Sequence, residues 1–494
     1  MAAEQQKIDA LTADTLEMSE FEMLVQQEFK AQSDEAQSAV QGAVKTLVSQ
    51  ALENVALVSN DAIKTIEGII AELDRKLSEQ VNLILHHSEF TQLEGAWRGL
   101  DYLVSNTPTS DTLKIRVLNI SKNDVSKTLK RFKGSSWDQS PIFKRFYEDE
   151  YGTAGGEPFG ALIGDYYFNH TPQDVEILKG IAQIASAAHM PFISAADPSV
   201  LNLGSWQELA NPRDISKIFS TPEYATWRGF RDSEDSRYVA LTLPRVLSRA
   251  PYGAKSNPVE EFDFEEETGA GDSEKYNWMN AAYAMGANIT RSFADYGWCA
   301  NIRGVESGGA VQGLPTHTFP SEDGGMAQKC PTEIAITDRR EAELSKNGFL
   351  PLIHWKNTDY AVFLGGQTVN NPAVYDSPDA TANASLSARL PYIFAASRFS
   401  HFLKCIVRDK IGSFKERVDM ERFLGDWIAQ YVTGDPNASE EVKAKYPLAE
   451  AKVEVEEVEG KPGYYNARFY LRPHYQLEGL TASLRLVTKV PSAG

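Results

Sequence analysis

Apolar and polar positions alternate along this chain with two distinct periods, and the clearest stretch is Phe159–Leu201. The short aromatic run Gly160–Phe168 predicts a strand buried on both faces. Thr171 stands where a helix cap belongs and Pro172 at the first helical position. Val175, Leu178, Ile181, Ala182, Ile184 and Ala185 then follow at helical spacing until Pro191, and Phe192–Ala196 supplies a second buried strand. Together these predict a βαβ unit inside a larger α/β layer.

The flanks follow other patterns. Met18, Phe21, Leu24, Val25 and Phe29 form an amphipathic helical stripe. Two further stripes follow, one through Val40, Val44, Leu47, Val48, Ala51, Leu52 and Val55, the other through Ile63, Ile66, Ile70, Leu73 and Leu77. Val81–Asn106 reads as one helix with Leu93, Trp97, Leu100 and Leu103 on one side. Leu113–Ile120 alternates as a strand and precedes a helix from Asn123 to Phe132; Arg237–Leu243 reads as a strand and Asn277–Tyr296 as a helix of small residues. Glu333–Thr337, a polar helix from Asp338, Leu350–Trp355 and Tyr360–Leu364 return to α/β alternation. Ser385–Ile411 and Phe414–Val432 read as long helices. Ala451–Glu459, Gly463–Leu471 and Thr481–Val490 alternate with period two, the first two joined as a hairpin. Three regions result: a helical region 1–60, an α/β core 61–380 and a C-terminal α+β domain 381–494 ending in an almost free strand.

Composition narrows the classes. The 494 residues carry a net charge of -19, which argues against a general nucleic-acid binder. Three widely spaced cysteines suit a reducing cytoplasm, and no apolar run reaches the roughly 18 residues of a membrane span. The N-terminus is acidic and amide-rich, unlike a signal peptide. Eight acids and no base between 259 and 274 read as a solvated loop.

Candidate chemistry fails on spacing. His86 and His87 are adjacent, so they point about 100° apart on a helix and cannot share a metal as an i, i+4 pair does. Phosphate-loop, HExxH and GxSxG patterns are absent. Asp165 and His170, near the end of the first buried strand, are the candidate acid/base pair of an enzyme such as a hydrolase; the alternative is a carboxylate capping or pairing at a strand end.

Five stretches carry a family resemblance: HHSEFTQLEGAWRGLDYLV (86–104), FGALIGDYYF (159–168), ISAADPSVLN (193–202), RYVALTLPRVLSRAPYG (237–253) and FLKCIVRDKIGSF (402–414). In this order they resemble the large subunit of the type VI secretion contractile sheath, the TssC/VipB family. The resemblance runs from about residue 60 to the C-terminus. It implies a contractile tail-sheath-like α/β core, with no catalytic activity and no cofactor. The implied partners are a small sheath subunit (TssB/VipA-like), an inner-tube hexamer (Hcp-like), an AAA+ unfoldase (ClpV-like), the baseplate and further copies of the chain in a helical lattice. Neither nucleic acid nor membrane insertion is implied.

With that resemblance the helix bearing Met18, Phe21, Leu24, Val25 and Phe29 becomes the candidate unfoldase handle; the alternative is docking on the chain's own body. The final strand, with Leu484, Leu486, Val487 and Val490, becomes the candidate inter-protomer joint, against a closed local sheet. Six bases face two acids between Arg398 and Arg417. Of these, Arg398, Lys404, Arg408 and Lys410 become a candidate inner-tube contact, against bases paired with acids of the chain itself or of the small subunit. A tail sheath built from one chain type is the remaining structural alternative.

Overall fold

The computed structural model describes residues 62–211, 214–268, 273–320, 325–411, 416–459 and 464–474, with the single positions 42 and 476. The expected handle, Met18–Phe29, and the expected final strand with Leu484, Leu486, Val487 and Val490 lie outside the described residues. The helices used below are α1 (Ala62–Leu85), α2 (Ser88–Ser105), α3 (Lys122–Arg131), α4 (Pro172–Ala188), α5 (Ala281–Tyr296), α6 (Asp338–Lys346), α7 (Pro378–Ser387), α8 (Leu390–Lys410) and α9 (Arg417–Ala429). The strands are β1 (Leu162–Phe168), β2 (Phe192–Ala196), β3 (Val239–Leu243), β4 (Ala310–Val311), β5 (Leu350–His354), β6 (Ala361–Phe363), β7 (Leu448–Glu457) and β8 (Tyr465–Pro473).

The chain divides into two compact units, one of residues 1–90 with 251–275, the other of 91–250 with 276–494. In the first, the acidic stretch is not the fully solvated loop expected. Phe264 and Glu266 are buried while Asp263, Glu265 and Glu267 are exposed. Asn82 of α1 fixes the stretch by donating to the Glu265 carbonyl at 3.2 Å and accepting from the Glu267 N–H at 3.0 Å. An extended backbone sends alternate side chains to opposite sides, so Glu266 turns inward with Phe264 while Asp263, Glu265 and Glu267 reach water.

The second unit is built on a six-stranded sheet of order β1-β2-β3-β5-β6-β4. β1, β2, β3 and β5 are parallel, and β6 and β4 add antiparallel. The expected βαβ unit is present as β1-α4-β2, with all five β2 residues buried. β1 departs from expectation: it is the edge strand and only partly buried, which explains its two tyrosines. Thr171 has extended cap geometry, but its hydroxyl donates to the Asn169 side chain at 2.6 Å instead of capping α4. One core lies between the sheet and α4, with Phe168, Val175, Leu178, Trp206, Trp227 and Phe230; the other lies under α5, with Ile193, Ala240, Met285 and Leu352.

Several expected elements are redrawn. The single helix Val81–Asn106 breaks at His86–His87. Its second part, α2, follows the expected stripe only in its last turns: Leu103 is buried and Leu100 packs beside it, but Leu93 is 57% and Trp97 65% exposed, and Gly95 and Gly99 take the inner positions there. A Cβ on Gly95 would stand 2.4 Å from the Trp278 carbonyl oxygen, and one on Gly99 2.3 Å from the Tyr283 ring. Ser385–Ile411 is two helices, α7 and α8, because Pro391 fits only the first turn of a helix. Leu113–Ile120 and Glu333–Thr337 join no ladder among the described residues. The C-terminal hairpin forms as expected from β7 and β8, paired from Leu448↔Pro473 to Glu457↔Tyr465.

Candidate assembly surfaces

The carboxyl ends of parallel strands are where an α/β enzyme would bind its substrate. Here that end is occupied by the chain itself. Arg245, just after β3, makes a two-pronged pair with Glu333 at 2.9 and 2.8 Å. Lys122 donates to the Tyr167 carbonyl at 2.6 Å and to Asp174 at 2.8 Å. Asn280, the cap of α5, donates to the Tyr166 carbonyl at 3.1 Å. Asp165 and His170 do not converge. Asp165 accepts from Asn280 and Tyr283, and burial raises its carboxyl above the ordinary range. His170 stacks on Tyr224 with centroids 4.1 Å apart. His86 lies 3.5 Å from Glu266 within the other unit. Among the described residues no group of three or more potential metal ligands is found.

The four bases of α8 lie against the chain's own rings and carbonyls. Arg398 sits between Phe293 (5.6 Å) and Phe402 (4.5 Å), and burial lowers its pKa. The Lys404 ammonium is 3.7 Å from the Tyr151 ring centroid and 3.2 Å from the Tyr147 hydroxyl. Arg408 donates to the carbonyls of Thr153 (2.8 Å) and Tyr151 (3.2 Å), and Lys410 lies 4.8 Å over Phe423. Part of this was legible: Phe402 stands one helical turn after Arg398. The aromatic turn Tyr147–Tyr151 was not, since more than 250 positions separate it from Lys404 and Arg408.

The hairpin β7–β8 presents a different surface. Val453 and Val455 point inward with Leu424, Ile428, Phe399 and Trp298, while Tyr464 and Tyr470 are 65% and 52% exposed. Residues 431–433 hold the start of β7, through the Thr433 N–H to the Leu448 carbonyl (2.9 Å) and the Leu448 N–H to the Tyr431 carbonyl (3.2 Å). Beyond that point neither edge carries a further strand among the described residues. Two strands alone are marginal in water, and open edges are templates for pairing.

Residues 67–370 match the family described as EvpB/VC_A0108, tail sheath N-terminal domain (VipB), and residues 379–490 its tail sheath gpW/gp25-like domain. The chain belongs to the VipB tail sheath family. This sheath chain is 66% identical over 480 residues to the type VI secretion system sheath protein TssC1 of Pseudomonas aeruginosa, covering 97% of this chain and 96% of that one. Two solved structures show looser likeness. A chain of the anti-feeding prophage baseplate gives a TM-score of 0.38 at 10% identity, over 80% of this chain and 87% of its own. The helical sheath of the same prophage in its contracted state gives 0.31 at 11%, over 79% and 86%. Likeness at that level carries no structural detail across.

Proposed function

We propose that this sheath chain is the large structural subunit of a type VI contractile sheath. It assembles with a small sheath subunit into a helical tube around an inner tube of hexamers, and contraction propels that tube and its spike into a target cell. The observation that carries this is the pair of sheath domains spanning residues 67–370 and 379–490, together with the 66% identity to a named sheath protein over nearly all of both chains. The filled strand ends agree with a body that holds shape rather than turns over substrate, and no cofactor is invoked. No described helix is long and apolar enough to cross a membrane, which suits a cytoplasmic assembly. The hairpin with open edges suits strand exchange, and Leu484, Leu486, Val487 and Val490 of a neighbouring copy supply the strand that pairs there.

The Met18, Phe21, Leu24, Val25 and Phe29 stripe serves an AAA+ unfoldase that dismantles the contracted sheath, and the baseplate is a further partner. Exposed ion pairs contribute only about 0–1 kcal/mol each, so contacts to the inner tube are many and weak. Arg408, near the end of α8, remains the first candidate for that role; Arg398, Lys404 and Lys410 reach it only by leaving their rings. Electron microscopy of the chain co-expressed with its small subunit tests the assignment. Hollow ridged tubes are expected, and monodisperse particles that turn over a substrate would overturn it.

A further inference from the structure

β5 runs parallel to β3 and ends at His354. This imidazole therefore stands at the carboxyl end of a parallel strand, where an α/β sheet presents reactive groups. Cys330 lies beside it: the thiol hydrogen-bonds the His354 ring and sits 3.1 Å from the Thr332 hydroxyl. The far side of the ring is fixed as well, with Nε2 3.0 Å from the Thr358 carbonyl. A carbonyl only accepts, so Nε2 carries the ring proton and Nδ1 is left to take one from Cys330. Nucleophile, base and an acceptor that orients the base thus stand in line.

The surrounding chain holds both members in place. The Leu247 N–H donates to the Pro331 carbonyl at 2.8 Å and the Glu333 N–H to the Arg245 carbonyl at 3.0 Å, which ties the stretch after Cys330 to the residues after β3. On the histidine side, Gln328 also donates to the Thr358 carbonyl, at 3.3 Å. Electrostatics agree with this geometry. Burial opposes a thiolate, but the bonds from His354 and Thr332 outweigh it and hold the Cys330 thiol below its ordinary range. Burial opposes the imidazolium too, yet the bonds to Cys330 and the Thr358 carbonyl raise His354 above the usual histidine value. Lys329, 4.6 Å over the Tyr276 ring, adds a nearby cation. Cys330 and His354 are half-buried rather than enclosed.

We propose that Cys330 and His354 form a modification site at which a small hydroperoxide, such as hydrogen peroxide, oxidises this chain to a sulfenic acid. The inference stands on the pair itself and does not depend on the assembly proposed above. A peroxide fits for two reasons: it is small enough for a half-buried thiol, and its leaving group needs the proton that His354 holds. The thiolate attacks one peroxide oxygen, and the S–O bond forms as the O–O bond breaks. Sulfur gives up two electrons and the peroxide is reduced, while His354 Nδ1 hands its proton to the departing hydroxide. The products are the Cys330 sulfenic acid, neutral His354 and water. Each chain takes up one oxygen and does not turn over, which is compatible with a structural subunit.

The other two cysteines are internal standards. Burial pushes the Cys299 thiol up to about 12, and Cys405 is exposed on α8. Treating the purified full-length chain with hydrogen peroxide, trapping with dimedone and reading the peptides by mass spectrometry tests the site. Label is expected on the Cys330 peptide and not on Cys299. Iodoacetamide supplies a second reading. At about pH 6, Cys330 should alkylate about fivefold faster than the more exposed Cys405, and unfolding in urea should abolish that lead. His354→Gln can still donate to Thr358 but takes no proton, and should slow Cys330 alkylation and trapping about fivefold at that pH. An absence of dimedone adduct at Cys330, or alkylation no faster than at Cys405 in the folded chain, overturns the inference. So does an unchanged Cys330 rate in folded His354→Gln. Should that variant not fold, the folded-against-urea comparison on the unaltered chain decides.

Discussion

The main sheet and the C-terminal hairpin are built from similar alternating strands and differ in what surrounds them. β2 and β3 are flanked by strands on both edges and helices on both faces, and the groups at their carboxyl ends are paired within the chain. β7 and β8 cover one face against α8 and α9, and most of both edges carries no strand among the described residues. Strands paired on both edges and covered on both faces have one arrangement available to them. A hairpin whose edges carry no further strand among the described residues keeps backbone groups available for one more strand, which is what the proposed joint between copies would use. Within the described residues the body and the proposed exchangeable part thus differ in how many backbone groups each leaves unpaired.

Substitutions that injure the body should lower stability without a specific effect on tube formation, and those on the hairpin should do the reverse. The largest expected effect is Phe168→Ala. This side chain is fully buried, and its loss should cost about 4 kcal/mol in urea unfolding. A loss under about 1 kcal/mol would mean that the sheet body is not the tightly packed element. Next comes Arg245→Ala, which strands the buried Glu333 carboxylate and should cost about 3 kcal/mol. Arg245→Ala with Glu333→Gln should recover part of that loss, whereas equal single and double losses would show that the pair is not coupled.

pH offers a third test of the body. Burial pushes the His401 imidazole down to about 4 from 6.5, while its Nε2 donates to the Ala188 carbonyl at 2.9 Å. Between those values the unfolded chain binds a proton that the folded chain refuses. Stability is therefore full above pH 6.5 and falls as pH drops toward 4, by up to about 3 kcal/mol. His401→Gln should flatten that part of the urea-midpoint profile, and an unchanged slope would exclude His401 as its source. The smallest effect on folding is expected on the hairpin. Tyr470→Ala should move stability by less than about 0.5 kcal/mol. Deleting residues after Leu480 should abolish tubes seen by electron microscopy while the heterodimer stays soluble. Tubes of normal length from that truncation would remove the hairpin from the assembly joint.

The periodic signals placed β1-α4-β2, α5, α6, β5 and the β7–β8 hairpin within a few residues, because each pattern is local and repeats over a whole element. Where sequence and structure part, the deciding atoms are distant in sequence. The stripe on α2 predicted an apolar inner face, which Leu100 and Leu103 supply, but nearer its start the Trp278 carbonyl and Tyr283 ring approach so closely that only Gly95 and Gly99 fit, and Leu93 and Trp97 turn outward. The bases of α8 read as a candidate inner-tube contact or as partners of acids, and neither reading contains the Tyr147 and Tyr151 rings that lie beneath Lys404. Asp165 and His170 are five positions apart in sequence and turn to separate partners across the fold, Tyr283 and Tyr224.

By itself, then, the sequence determined the element types, the βαβ order and, through long matching stretches, the family. Those depend on residue spacing and identity, which the chain carries openly. Only the tertiary structure decided that β1 is an edge, that the strand ends are filled and that Leu113–Ile120 joins no ladder among the described residues. Edges and unpaired backbone are properties of neighbours, and a neighbour's presence or absence is set by packing across hundreds of residues rather than by any local pattern.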